Sequence, residues 1–242
     1  MKILKLTPLL LILGCGPVYE NGNGNLSTEE RSVNSFSEIR VDGQFQITLE
    51  EGRESVKVLT DENLHKYIEV FVEGDVLYIE STERIRSDDG IKIFIDYEHL
   101  EALELRGAPA IGSESTIKSS ELELSVDGAA VIDLDINVRD LRIEISGAGL
   151  MELSGRARDM MVEMSGTGNL SAYDLEVEIA EIELSGVGAA QVNVRERLLG
   201  EVTGVGSIKY KGNPEIVETD VSGLGTVSPS SEKDKSDVDI DI

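Results

Sequence analysis

The sequence predicts an all-β fold, a single-chain parallel β-helix or β-solenoid with coils of about 19 residues and irregular N-terminal coils or a cap. A Ser-Gly-x-Gly signature recurs at a nearly constant interval, in "IEISGAG", "VEMSGTG" and "IELSGVG". A short alternation of apolar and polar residues stands directly before each signature, as expected for a strand with one buried face. A helix of about 3.6 residues per turn would scatter Leu141, Ile143 and Ile145 around its axis. Further short apolar runs follow each glycine and predict two or three short strands per unit, separated by turns. Recurring strands without helices are typical of a solenoid.

Residues 1–14 predict a secretory signal, because two lysines precede a short apolar run that is too short to span a bilayer. The sequence "ILGC" at residues 12–15 resembles a bacterial lipobox, in which cleavage precedes the cysteine and the cysteine is acylated. We therefore expect general export and lipid anchoring at Cys15 in a bacterial cell envelope, at the outer membrane. A cleaved signal with an unmodified thiol, or an uncleaved anchor, remains the alternative.

Composition limits the classes of partner. The formal charge of −25 becomes −27 when residues 1–14 and their two lysines are removed. Such acidity excludes nucleic acid as a partner, because phosphates would be repelled, and it disfavours contact of the protein surface with an anionic leaflet. It fits cations, basic partners or simple solubility. Cys15 is the only cysteine, so no disulfide can form within the chain.

The regions on either side of the repeats have their own patterns. Residues 15–33 are Gly/Asn-rich and predict a flexible tether. In residues 34–98, glycines at the ends of "IRVDG" (39–43) and "IEVFVEG" (68–74) follow apolar residues two and four positions earlier. Their wider separation predicts longer turns or added hairpins, and we interpret this region as the opening coils and a cap that protects the strand edges. The solenoid domain is expected over 34–228, and residues 229–242 predict an acidic, disordered tail.

One glycine anchors each of seven repeat units, with spacings of 21, 19, 19, 20, 18 and 19 residues. These structural turn glycines are Gly107, Gly128, Gly147, Gly166, Gly186, Gly204 and Gly223. The residue two positions before each is apolar. We expect these glycines to form a column at a corner, where glycine supplies a positive φ. A phosphate-binding loop is disfavoured, because no helix pattern or lysine follows the motif.

A second column is predicted three positions before the anchor glycine, on the outward strand face. Its carboxylates are Glu104, Glu144, Glu163, Glu183, Glu201 and Asp220, interrupted only by Ser125. Like charges about 4.8 Å apart repel each other, and the repulsion could be relieved by weakly bound divalent cations or by a basic partner. We take Glu144, Glu163, Glu183, Glu201 and Asp220 as a candidate weak cation site. The simpler interpretation is a solvated face that prevents aggregation.

Catalytic, metal and cofactor motifs are not evident, and we expect no cofactor. His65, interpreted as part of a surface turn, and His99 are the only histidines, and no HExxH, CxxC or P-loop motif occurs. Arg142 and Arg158 fall in different repeat columns, so no basic groove for an acidic polysaccharide is indicated. The alternation of Asp237, Asp239 and Asp241 lacks the glycine and glutamate of a calcium loop.

The stretches "FSEIRVDGQFQITLEEG" and "YIEVFVEGDVLYIES", the repeated SGxG units and "GVGSIKYKGNPEIVETDVSGLGTV" resemble the putative auto-transporter adhesin, head GIN domain family. The resemblance covers about residues 35–228. It implies one parallel β-helix-like domain, often on secreted or lipid-anchored proteins of Bacteroidetes-type bacteria, and it supplies no catalytic residues. Arg106, Pro109 and the run Asp127–Ala130 depart from the SGxG pattern.

The sequence therefore favours a non-enzymatic, lipid-anchored envelope β-solenoid that serves as an adhesin or a binding and scaffolding surface. Its expected partners are the membrane, through Cys15, and an envelope protein or glycan. The alternative function is a polysaccharide-binding or polysaccharide-degrading β-helix enzyme, because many β-solenoids act on acidic polysaccharides.

Overall fold

The computed structural model describes residues 19–230, so Cys15, residues 1–14 and residues 231–242 lie outside the described part. The strands are Glu20–Asn21 (β1), Leu26–Arg31 (β2), Glu38–Gly43 (β3), Gln46–Glu51 (β4), Ser55–Asp61 (β5), Ile68–Glu73 (β6), Val76–Ser81 (β7), Ile85–Arg86 (β8), Lys92–Tyr97 (β9), Ala102–Gly107 (β10), Ala110–Ser113 (β11), Ile117–Ile145 (β12), Ala148–Met164 (β13), Thr167–Leu184 (β14), Val187–Val202 (β15), Val205–Lys211 (β16), Ile216–Val221 (β17) and Leu224–Pro229 (β18). Within residues 19–230 the one helical element is a 3₁₀ turn at His65–Tyr67. The all-β solenoid is confirmed, with about seven turns of about 20 residues.

Each regular coil is a single long strand that a two-residue turn closes. β13 has 17 residues and β14 has 18, and the Ser-Gly pairs at 165–166 and 185–186 separate these strands from the next ones. The sequence predicted two or three short strands per unit. The backbone instead bends inside a continuous ladder, with register shifts such as the one between Glu152 and Ser154.

The coils stack in parallel and in register. Ala148 lies beside Thr167, which lies beside Val187, and the same order continues through β16 to Leu224 of β18. We call the ladder that contains β3, β10 and β17 the first sheet, and the ladder that contains β4, β11 and β18 the second sheet. The first sheet precedes the anchor glycine of each coil, and the second follows it.

Inward side chains of both sheets form one apolar core. The position two residues before the anchor glycine is at most 2% exposed in six successive coils, at Leu105, Val126, Ile145, Met164, Leu184 and Val202. The seventh member, Val221, is 42% exposed, because no described strand lies beyond β17. The core therefore follows the alternation that the sequence predicted and opens at its C-terminal end.

The N-terminal end is capped by antiparallel strands, so of the longer turns or added hairpins that the wide glycine separation predicted, the structure shows hairpins. β6 pairs with β7, and β5 lies between β2 and β9. The coils there do not follow chain order, because β3 lies between β7 and β10. The strands β3 and β4 therefore belong to the second coil of the stack. The chain then forms the cap and the first coil, which contains β7 and β9, before β10 and β11 continue the solenoid.

The expected flexible tether over residues 15–33 is wrong for its second half. Leu26–Arg31 is a strand whose residues pair antiparallel with Ser55–Asp61, and Glu20–Asn21 pairs with β8. The sequence of β2, "LSTEER", has no apolar residue after Leu26. An edge strand of this kind is held by backbone pairing with the cap rather than by a buried face, so its hydrophobic pattern does not reveal it.

The anchor glycines form the predicted column, but the predicted reason for them is wrong in six of seven cases. Only Gly107 of the seven has a positive φ, at 77°. A Cβ atom added to Gly147 would lie 2.0 Å from the carbonyl oxygen of Gly128, and one on Gly166 would lie equally close to that of Gly147. Glycine is required because backbones stack too closely at the corner to admit any side chain.

Candidate binding surface

The predicted acidic column lies on the outward face of the first sheet. In register, Glu144 lies beside Glu163, Glu163 beside Glu183, Glu183 beside Glu201, and Glu201 beside Asp220. Neighbouring strands of a sheet are about 4.8 Å apart, so five carboxylates follow each other along the solenoid axis.

Only one of these five carboxylates has an ion-pair partner among residues 19–230. Arg142 Nη2 lies 2.6 Å from Glu163 Oε1, and both side chains are 45% exposed. An exposed pair of this kind contributes about 0–1 kcal/mol. The other four carboxylates therefore keep an uncompensated negative potential along the sheet.

The N-terminal end of the column is neutralised by Arg106, which directly precedes its anchor glycine, and by Arg40, which the repeat did not reveal. Arg40 pairs with Glu104, and Arg106 Nη2 lies 2.5 Å from Glu104 Oε1. The Arg40 guanidinium lies 5.2 Å from the centroid of the Tyr78 ring, which stacks on Phe71. Arg40 reaches Glu104 only because β3 pairs with β10, and this pairing depends on the order of coils in space.

A groove of about 480 Å³ opens beside the column, at the edge where each coil enters the first sheet. Seven carboxylates line it, from Glu38, Glu101, Glu121, Glu123, Asp140, Asp159 and Glu181. Leu122, Leu141 and Met160 form its buried apolar floor, and Met161 is partly exposed at its rim. Arg142 is its single cationic side chain. We call this site the acidic groove.

Cations outside the groove compensate two of its carboxylates. Arg139 Nη2 lies 2.8 Å from Asp140 Oδ2, and the hydrogen bond to Asp140 raises the pKa of the Arg139 guanidinium. Arg158 Nε lies 3.8 Å from Asp159 Oδ2. The other five carboxylates, from Glu38, Glu101, Glu121, Glu123 and Glu181, have no ion-pair partner within the described range. The groove thus presents free carboxylates around an apolar floor.

The sequence contains a signal for this groove in columns next to the predicted one. Members of the groove recur five, six and seven positions before the anchor glycine, as Glu123, Leu122 and Glu121 do before Gly128. Aligning these positions across the repeats shows carboxylates in more than one outward column. The predicted column from Glu144 to Asp220 therefore contains only some of the carboxylates on this surface, and the carboxylates of the groove lie outside it.

No group of three or more His, Cys, Asp or Glu side chains in residues 19–230 is arranged to hold a metal ion. The carboxylates of the column point outward from successive strands and do not converge on one point. The weak cation site stays a prediction, and Asp237, Asp239 and Asp241 lie outside the described residues.

His65 is buried, although the sequence suggested a surface turn. Its Nε2 lies 3.0 Å from Ser27 Oγ and 3.1 Å from the Ser27 carbonyl oxygen, and its Nδ1 lies 3.7 Å from Glu29 Oε2. A proton on Nε2 would be donated to the carbonyl oxygen, and Nδ1 is too far from Glu29 for a hydrogen bond. The contacts therefore tie the 3₁₀ turn to β2 rather than activate Ser27. His99 is exposed.

A sequence model of the putative auto-transporter adhesin, head GIN domain family matches residues 35–214. The chain belongs to this family. The fold of this head GIN domain is similar to a crystal structure of a putative adhesin from Bacteroides fragilis, with a TM-score of 0.82, 25% identity, and coverage of 87% of this chain and all of that one.

Two solved structures from Parabacteroides distasonis share the fold of this head GIN domain. One is a putative adhesin, with a TM-score of 0.68, 24% identity and coverage of 88% of this chain and all of that one. The other is a putative lipid binding protein, with a TM-score of 0.70, 23% identity and the same coverage. A comparison with curated proteins finds no match. Over residues 19–230, no helix has the length and apolarity needed to cross a membrane.

Proposed function

We propose that this head GIN domain is a non-enzymatic envelope protein whose acidic groove binds a cationic segment of an envelope partner. The observation that carries the proposal is the lining of the groove, in which seven carboxylates and one arginine surround an apolar floor. The adhesin names of the family and of its solved relatives support a binding role.

An extended segment rich in lysine and arginine fits this chemistry. The aliphatic stems of such side chains pack on apolar surface while their charged ends reach polar groups. Here the stems would contact Leu122, Leu141 and Met161, and the charged ends would pair with carboxylates at the rim. Charge-assisted hydrogen bonds of this kind are stronger than neutral ones. The neighbouring column adds long-range attraction that speeds association at low salt.

The proposal includes a lipid anchor at Cys15, export by the general route and a location at the outer membrane. The lipobox-like sequence at residues 12–15 supports it. The net charge, which is −25 for the full sequence and −27 without residues 1–14 and their two lysines, repels anionic lipid headgroups, so an anchored domain would expose its surface to partners rather than lie on the bilayer.

The test compares two variants that remove equal charge. Glu101, Glu121, Glu123 and Glu181 are changed to Gln in the groove variant. In the control, Glu50, Asp133 and Asp135 on the second sheet and Glu114 directly after β11 are changed to the corresponding amides, Gln or Asn. Both are titrated with a labelled oligo-arginine peptide at several salt concentrations. We expect the groove variant to bind at least about tenfold more weakly than the control, with a shallower salt dependence. Equal losses would show that net charge alone attracts the peptide and would contradict the proposal.

The non-enzymatic part has its own test. Acidic polysaccharides are incubated with the full chain, and new reducing ends and unsaturated products are measured. No product is expected. Product formation that disappears in Glu163→Gln would show a polysaccharide-degrading solenoid instead, and binding of the glycans without cleavage would show a glycan-binding surface.

A further inference from the structure

The outward face of the second sheet carries an exposed aromatic ring near the N-terminal cap. Of the four phenylalanines, Phe36 and Phe45 are buried, and Phe71 stacks on Tyr78 with ring centroids 5.0 Å apart. The fourth, Phe94 in β9, is 39% exposed and has no ring or cation–π contact within the described part of the chain. A single exposed apolar side chain needs no special explanation, so a role for Phe94 must rest on what surrounds its ring.

A hollow of about 330 Å³ lies beside the Phe94 ring. β9 pairs with β4 and β4 pairs with β11, so Phe94 is followed across the sheet by Thr48 and then by Gly112. The adjacent row ends in Ala110 of the same strand. Because both outward residues of β11 are small, they leave space next to the ring, and its volume lies at the lower end of the range for small-molecule sites. We call this space the Phe94 hollow.

Polar side chains surround the hollow and are free to bind a ligand. Among residues 19–230, no side-chain hydrogen bond or ion pair engages four of the lining residues, Gln46, Thr48, Lys92 and Asp133. The amide and the hydroxyl group both donate and accept hydrogen bonds, the ammonium group only donates, and the carboxylate only accepts. A sugar hydroxyl group also donates and accepts, so a sugar can use every one of these groups.

The charges of the hollow favour an uncharged ligand. Lys92 and Asp133 carry opposite charges on the same lining, and each can bond a neutral hydroxyl group. An anionic ligand would meet the carboxylates of Asp133 and Glu114 and the net charge of −25, which repel it. A cationic ligand finds more carboxylates in the acidic groove of the first sheet.

We propose that the Phe94 hollow binds an uncharged sugar unit of a glycan. The C–H groups on one face of the pyranose ring pack on Phe94, because the face of an aromatic ring is partly negative and these hydrogens are partly positive. Ala110 and Gly112 let the sugar approach the sheet, and its hydroxyl groups bond to the polar side chains around it. The hollow and the acidic groove lie on different sheets, so this site is independent of the proposed cationic partner.

Binding of soluble oligosaccharides to the full chain tests the proposal, in a detergent without a sugar headgroup. The probes are neutral oligomers of glucose, galactose, mannose and N-acetylglucosamine, with oligogalacturonate as the acidic probe, and saturation-transfer NMR titrations measure the Kd. We expect at least one neutral probe to bind with a Kd below about 10 mM. Phe94→Ala should weaken this binding at least about tenfold, whereas Phe94→Tyr, which keeps the ring, should stay within about threefold of the wild type.

Gly112→Val tests the hollow without removing a ring. A Cβ atom on Gly112 would lie 3.6 Å from the carbonyl oxygen of Asp133, which is an ordinary contact, and a β-branched residue suits a strand. The variant should therefore fold, fill the hollow and bind the same probe at least about tenfold more weakly. Phe71→Ala removes a ring of equal exposure elsewhere and should bind as the wild type does. Urea midpoints show whether each variant is folded.

Three results would overturn the proposal. The first is that no neutral probe binds the wild type with a Kd below about 10 mM. The second is unchanged binding in folded Phe94→Ala or Gly112→Val, which would place the sugar elsewhere. The third is tighter binding of oligogalacturonate than of every neutral probe, which would show that Lys92 selects an acidic ligand.

Discussion

The carbonyl oxygen of Gly128 occupies the space that a side chain on Gly147 would need, because a Cβ atom there would lie only 2.0 Å away. The same contact repeats from coil to coil, at 2.0 Å for Gly166 and 1.9 Å for Gly186. Glycine therefore recurs because the backbones of neighbouring coils stack closely at the corner of the solenoid.

Gly147→Val should destabilise the domain by roughly 3 kcal/mol or more, because the backbone of the neighbouring coil must move. Glu163→Ala should cost less than about 1 kcal/mol, since it removes only an exposed ion pair. Gly74→Ala is the control for backbone conformation, because Gly74 has φ 64° and no atom near its Cβ position. It should cost about 1 kcal/mol. Urea unfolding measures all three, and similar small losses for the two glycines would contradict steric stacking.

Glu183→Gln should stabilise the domain at low salt, because Glu163 and Glu201 lie beside it in the column. The expected gain is about 0.5 kcal/mol and should vanish at high salt, where the repulsion is screened. Glu114→Gln, at an exposed site directly after β11, serves as the matched change. Thermal midpoints at low and high salt measure both, and a gain for Glu183→Gln that persists at high salt would argue against repulsion along the column.

The buried phenol of Tyr97 should make the free energy of unfolding of the domain fall at alkaline pH. Burial raises the pKa of this phenol above the ordinary value of 10.0. The folded chain therefore retains the proton at pH values where the unfolded chain has lost it, so the contribution to stability is complete below about pH 10 and is lost as pH rises toward the folded pKa. Tyr97→Phe should lose stability less steeply than the wild type between about pH 9 and about pH 11.

Tyr19→Phe, at a residue that is 41% exposed, is the control for this alkaline prediction. It should follow the wild-type profile in urea titrations at each pH. A Tyr97→Phe profile that also matches the wild type would show that other groups govern the alkaline loss.

Cys15→Ala should abolish incorporation of labelled palmitate and release the protein from the membrane fraction. Acyl chains attach at that cysteine in lipobox-type signals, and the anchor depends on them. Cells that grow with labelled palmitate provide the measurement, and Ser27→Ala serves as a mature-chain control that should keep the label. Label retained in Cys15→Ala would contradict the anchor.

Repetition made much of the fold accessible from the sequence. Each coil buries the same positions, so apolar residues such as Ile143, Val162 and Ile182 recur in phase and define both the strands and the period. The acidic column followed from the same alignment. The strand β2 and the pair of Arg40 with Glu104 could not be found in this way, because neither repeats.

The sequence by itself determined that this chain is a stack of parallel coils with a glycine corner, because local alternation and a constant period are properties of neighbouring residues. Only the tertiary structure decided that β3 lies between β7 and β10, that the acidic groove forms beside the column, and that glycine is needed for space rather than for a positive φ. These features depend on which backbones meet across long stretches of chain, and the order in which the coils stack decides that meeting.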